Sequence, residues 1–125
     1  PDMAENTPAY FPADRLPRTT SAQVTGGQVL VVSGNDTVAP SSGASSAWLG
    51  IAGHDAASGA QVVVYTAGVH LVAASGAIAA GALVIPATGG AVADQSTPSA
   101  ANDVQVVGIA LSAAANSKVL IKLGR

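Results

Sequence analysis

The stretch Gln61 to Val72, QVVVYTAGVHLV, holds two short runs rich in β-branched residues, Gln61 to Thr66 and Val69 to Val72, with a small-residue break between them. Such runs, without any 3.6-residue apolar period, read as strands and turns. The same grammar extends outward in both directions. Gln28 to Ser33 ends at the turn signal Gly34-Asn35-Asp36, Thr37 to Ala39 stops at Pro40, and Ala47 to Ala52 (AWLGIA) precedes a turn at His54 to Gly59. Leu83 to Ile85 stops at Pro86, Thr88-Gly89-Gly90 turns the chain into Ala91 to Ala93, and Val104 to Leu111 and Lys118 to Leu123 close the chain. Between Ala73 and Ala82, Gly76 and Gly81 leave room for one helical turn around Ala77 to Ala80 and no more. The expected fold is therefore all-β, a small barrel or β-clip-like sandwich of short strands.

Composition sharpens this. Of 125 residues 49% are hydrophobic, yet 27 are alanine and 16 valine, and only four are aromatic. Gly, Ser, Thr, Asn or Asp interrupts every apolar run, so no membrane span of about 20 residues is expected. No basic segment followed by an apolar one opens the sequence, so no signal peptide is expected either. Without cysteine there is no disulfide framework and no thiolate metal site. All five basic residues, Arg15, Arg18, Lys118, Lys122 and Arg125, lie near the ends, so residues 19 to 117 carry no cation. Nucleic-acid binding needs clustered cations against phosphates, and none is expected here. A surface so poor in charge suits a protein packed against others.

The first 20 residues differ from the rest. Pro1, Pro8, Pro12 and Pro17 share this segment with the only Phe and the only Glu. Spaced prolines favour extended backbone with no helix and no central strand. Residues 1–20 are thus expected to be an extended N-terminal arm on a β-rich domain of residues 21–125. Tyr10 and Phe11, adjacent aromatics between Pro8 and Pro12, read as an anchor for a partner's groove. Arg15 and Arg18 join them as expected contacts with a partner or a neighbouring subunit. Within the domain Trp48, Tyr65, Val69 and Leu71 are expected to serve core or subunit packing.

One internal echo stands out. Gly50-Ile51-Ala52 precedes a turn and Gln61 to Val64, and Gly108-Ile109-Ala110 precedes a turn and Lys118 to Ile121. The two read as hairpins of one design, with each glycine where a neighbouring backbone comes close.

Candidate chemistry is sparse. His54-Asp55 could place a base in a loop, but no nucleophile signature or second carboxylate accompanies it, and a solvated turn is the plainer reading. His70 alternates with Val69 and Leu71 and reads as a half-exposed strand residue. Asp94 and Asp103 lack the dense oxygen ligands of a calcium loop. No enzyme, metal or cofactor is expected.

Taken in order, Gly59 to Leu71, Ala77 to Val84, Gly89 to Val92, Val107 to Ala110 and Val119 to Leu123 resemble the capsid cement or head decoration proteins of tailed bacteriophages. The resemblance covers about residues 23 to 123, with Ala82 standing where many members carry an acidic residue. It implies a virion protein on the outer surface of the capsid, often a homotrimer, that staples neighbouring major capsid proteins and carries no cofactor. Alternatives are a carbohydrate-binding or host-adhesion module, which would need exposed aromatics, and a small hydrolase built on His54 and Asp55. An alanine-rich body buries little apolar area per residue, so lateral association is expected to supply the rest.

Overall fold

A computed structural model describes residues 15–96 and 103–124. The fold is all-β, and the ten strands among the described residues fall into two groups. The first group is β1 (Arg15–Thr20), β2 (Val29–Gly34), β3 (Thr37–Pro40), β4 (Trp48–Ala52) and β5 (Gln61–Tyr65). They close a barrel in the order β1-β3-β2-β4-β5. The second group is β6 (Gly68–Ala73), β7 (Leu83–Pro86), β8 (Val92–Asp94), β9 (Gly108–Ala110) and β10 (Lys118–Leu123). These form a sheet in the order β6-β10-β9-β7-β8.

The two groups are one design used twice. Leu30 pairs with Pro40 and Val32 with Val38, as Val84 pairs with Asp94 and Pro86 with Val92, each position shifted by 54. Val29 opposes Ile51, as Leu83 opposes Ile109. Ala52 opposes Val64, as Ala110 opposes Ile121. Even the parallel closure recurs: Thr20 pairs with Val38 in the first unit, and a single parallel bridge joins Ala74 to Val92 in the second. Ser21 N–H donates to Val38 O at 2.9 Å and Ser75 N–H to Val92 O at 2.7 Å. Gly27 and Gly81 hold φ of 89° and 85°, and their N–H groups donate to Ala52 O and Ala110 O. Only glycine adopts that conformation without strain.

The cores follow the same register. Val24, Leu30, Val38, Ala52, Val62 and Val64 fill the first barrel. Their counterparts Ile78, Val84, Val92, Ala110, Val119 and Ile121 fill the second unit. The second cluster also takes in Val29 and Ile51, with Trp48 packed against it. Strand alternation points Val29 and Ile51 away from the first barrel's interior, so the outer face of the first unit completes the core of the second. Hydrogen bonds stitch this junction: Val29 N–H to Gly90 O (2.7 Å), Gly90 N–H to Ser41 O (2.9 Å) and Ser41 Oγ to Ala87 O (2.6 Å).

Three details depart from the sequence reading. Residues 15–20, expected to belong to an extended arm with no central strand, form β1, which pairs with β5 from Arg15 to Thr19 and with β3 at Thr19 and Thr20. β3 joins β1 only at Thr19 and Thr20, so Pro17 precedes that second ladder, where a proline lacking an N–H is tolerated. The strand expected over Val104 to Leu111 is confined to Gly108–Ala110; a turn with Val106 N–H on Asp103 O (3.3 Å) precedes it. Ala77 to Ala80 makes no helical turn, and the segment instead carries Ile78 into the core at 3% exposure.

The glycine expectation holds in both hairpins. A Cβ on Gly50 would drive into the Tyr65 carbonyl oxygen, and one on Gly108 into that of Lys122. Both oxygens are backbone and cannot swing aside. We expect Gly50→Ala and Gly108→Ala each to cost about 1–3 kcal/mol or more in urea unfolding. Gly43→Ala, with nothing within 4 Å of its Cβ, is expected to stay within about 0.5 kcal/mol of the parent.

Candidate interaction surface

His54 and Asp55 are structural. The His54 ring donates Nδ1–H to Asp55 O at 2.8 Å and accepts Val63 N–H on Nε2 at 3.2 Å. Asp55 Oδ1 takes Gly26 N–H at 2.8 Å. Both ring nitrogens and the carboxylate thus act as substitutes for backbone groups where β4 runs past the end of its ladder with β5. His70 donates Nε2–H to Ala67 O at 2.9 Å, and its ring centroid lies 5.5 Å from that of Tyr65. Asp103 accepts the Gln95 amide at 3.0 Å. No group of three or more His, Asp or Glu side chains is close enough to hold a metal ion among the described residues.

The feature that stands out is apolar. β6 and β10 pair Val69 with Lys122, Leu71 with Leu120 and Ala73 with Lys118. Paired residues share a face. Val69 and Leu71 are 53% and 58% exposed, and Leu111, held beside Leu120 by its N–H at 2.8 Å, is 47% exposed. Ile109 and Leu83 continue the row on β9 and β7, half-buried. The result is a contiguous exposed apolar face flanked by Lys118 and Lys122, larger than the singly scattered apolar residues of an ordinary surface.

The expected contact residues are distributed as follows. Val69 and Leu71 lie on this face and outside the protomer's own core. Trp48 is half-buried at the junction of the two units. Tyr65 is half-buried with its ring over Gly53, where a Cβ would come within 2.6 Å of its Cε2. Arg15 is exposed at the start of β1 beside Tyr65, and Arg18 donates from Nη1 to Pro17 O at 2.8 Å. Tyr10 and Phe11 lie outside the described residues. The sequence reading missed Leu111, Ile109 and Leu83: the Gly108-Ile109-Ala110 echo matches Ile109 to Ile51, which is buried to 1%, and only the strand register shows Ile109 half-buried on the open face.

This is a duplicated all-β protein, its first unit a closed barrel, with an exposed apolar face on its second unit and with His54, Asp55 and His70 tied to backbone groups. The chain belongs to the phage cement protein family, matching it over residues 12–125. No curated protein sequence matches it. Among solved structures it is similar to the head fiber N base of bacteriophage phi29, with a TM-score of 0.65 and 19% identity over 88% of this chain and 92% of that one.

If Leu71 lies outside the protomer core, Leu71→Ser should cost less than about 0.5 kcal/mol in chemical unfolding of the dilute protein. Leu30→Ala, at 0% exposure, should cost about 2–5 kcal/mol.

Proposed function

We propose that the protein binds the outer surface of a phage head and staples neighbouring major capsid proteins, acting as a homotrimer and by shape rather than catalysis. The observation that carries the reading is the exposed apolar face of Val69, Leu71 and Leu111 on a rigid all-β body of a chain in the phage cement family. A head shell is a repeating surface, and a small adaptor that spans two of its subunits resists their separation through buried area on each. The structurally similar head fiber base of phi29 supports attachment at a phage head. A sugar-binding alternative would need exposed aromatic platforms, whereas Trp48 and Tyr65 are both half-buried and packed on protein.

In this reading residues 1–14, with Tyr10 and Phe11, reach the shell or a neighbouring subunit. β1 makes the boundary matter: removing residues 1–20 takes a barrel strand away, so the informative truncation ends at residue 14. Titrated onto heads lacking the protein, the chain without residues 1–14 is expected to keep its circular dichroism spectrum and bind about tenfold or more weakly. Equal saturation by the truncated and intact chains would remove the arm from the account, and failure of the intact chain to bind heads would remove the capsid reading itself.

A further inference from the structure

Inside the chain, the first unit seats its outer face on the β7–β8 tip of the second. The Val29–Ile51 pair is buried to 0% and 1%, and Pro86, Gly90 and Ala91 at the tip are buried with it. Gln28 Nε2 donates to Gly89 O (3.1 Å) and Thr88 Oγ1 to Ser42 O (3.2 Å), so the tip is gripped by its backbone and side chains alike. The internal register identifies the counterpart of each surface. The second unit's version of the face is the Leu83–Ile109 pair, which no part of the described chain covers fully, widened by exposed Val69, Leu71 and Leu111. The first unit's version of the tip is Val32 to Asp36, the end of the β2–β3 hairpin, exposed at every residue. Both halves of an interface that the chain already uses internally are thus open, one on each unit.

The geometry points to head-to-tail self-association, in which the β2–β3 tip of one copy seats on the β6, β10, β9 and β7 face of the next. The inference deepens the trimer reading above and rests on it for closure into a ring. The contact is heterologous, so two different patches meet and the arrangement either closes or propagates. Charge favours the same pairing: the face carries Lys118 and Lys122, and the tip carries exposed Asp36. Lys122 opposes Ile109, which opposes Leu83. At about 4.8 Å per strand, a lysine side chain spans most of the way to the seat. The seat is not an exact copy of the internal one. Asp36 stands where the second unit has Gly90, whose added Cβ would fall 2.6 Å from that of Gln28. The tip of a neighbouring copy therefore sits less deeply, which leaves its carboxylate near the rim where the lysines are.

The test uses the full chain in solution without heads, by sedimentation and native mass measurement at tens of micromolar. The intact protein is expected to run as a multiple of its chain mass. Leu71→Asp spoils the face and Val32→Asp spoils the tip; both side chains are at least half exposed, so both variants are expected to fold. Each alone should dissociate at least about tenfold more readily. Mixed in equal amounts, each supplies the surface the other lacks, and the mixture should form dimers and nothing larger. A second pair guards against misfolding: Asp36→Lys and Lys122→Glu each weaken association, and together in one chain they restore it. A monomeric parent, unchanged masses in the face and tip variants, or a mixture that does not pair overturns the inference. The capsid reading is scored separately on heads: a monomer that saturates heads contradicts this inference and the trimer it rests on while leaving capsid binding in place, and an oligomer that ignores heads contradicts only capsid binding.

Discussion

The seating of Val29 and Ile51 in the core of the second unit is the contact on which the rest depends. Each unit is thin. The first barrel is filled by four valines, a leucine and an alanine, and such small side chains yield modest burial at about 25 cal/mol per Å². Fully burying one valine or isoleucine contributes about 1.5–3 kcal/mol. Placing this pair, with Trp48 packed beside them, between the units adds to a core that neither could complete alone. The hydrogen bonds from Val29 N–H to Gly90 O and from Gly90 N–H to Ser41 O then fix the angle at which the two units meet, because both join backbone groups with little freedom to re-aim, and the Ser41 hydroxyl adds a third bond to Ala87 O.

The hairpins explain how such small residues still make a tight structure. Gly50 and Gly108 let the β5 and β10 carbonyls approach without a side chain between them. Both units can therefore be narrow enough for mostly valine and alanine to fill them, and a larger interior would have required more bulky side chains than this alanine- and valine-rich chain supplies. Tightness has a consequence for function: the outward positions are free to vary. One unit spends them on the internal junction, and the other presents them to solvent as Val69, Leu71 and Leu111.

Much of this was legible in the amino-acid order because the strands are punctuated. Pro40, Pro86 and the Gly34-Asn35-Asp36 and Gly89-Gly90 turns stop β-branched runs where the strands end, so eight of the ten strands fall close to where they were expected. β1 was hidden because Pro17 argues against a central strand, and only the pairing with β5 on one side makes the proline acceptable. β9 was overextended because Val104, Val106 and Val107 have strand chemistry, but Val104 and Val106 lie in the turn that opens at Asp103, where Val104 is 63% exposed, and Val107 is buried just ahead of the strand. The duplication was visible only as Gly-Ile-Ala. Arg15 and Pro17 in the first unit answer to Val69 and Leu71 in the second, so the matched positions share geometry without sharing residues. For the same reason the exposed apolar face was only half legible: its two most exposed apolar members were singled out, while Leu111, Ile109 and Leu83 needed the register.

Trp48, the single tryptophan, lies at the junction and reports on it directly. Unfolding in urea should be followed at once by its fluorescence and by the far-ultraviolet signal of the strands. If the two units share one core, both signals change in a single coincident transition with the same midpoint. Two separated transitions, with the fluorescence change completed while half the strand signal survives, would contradict it.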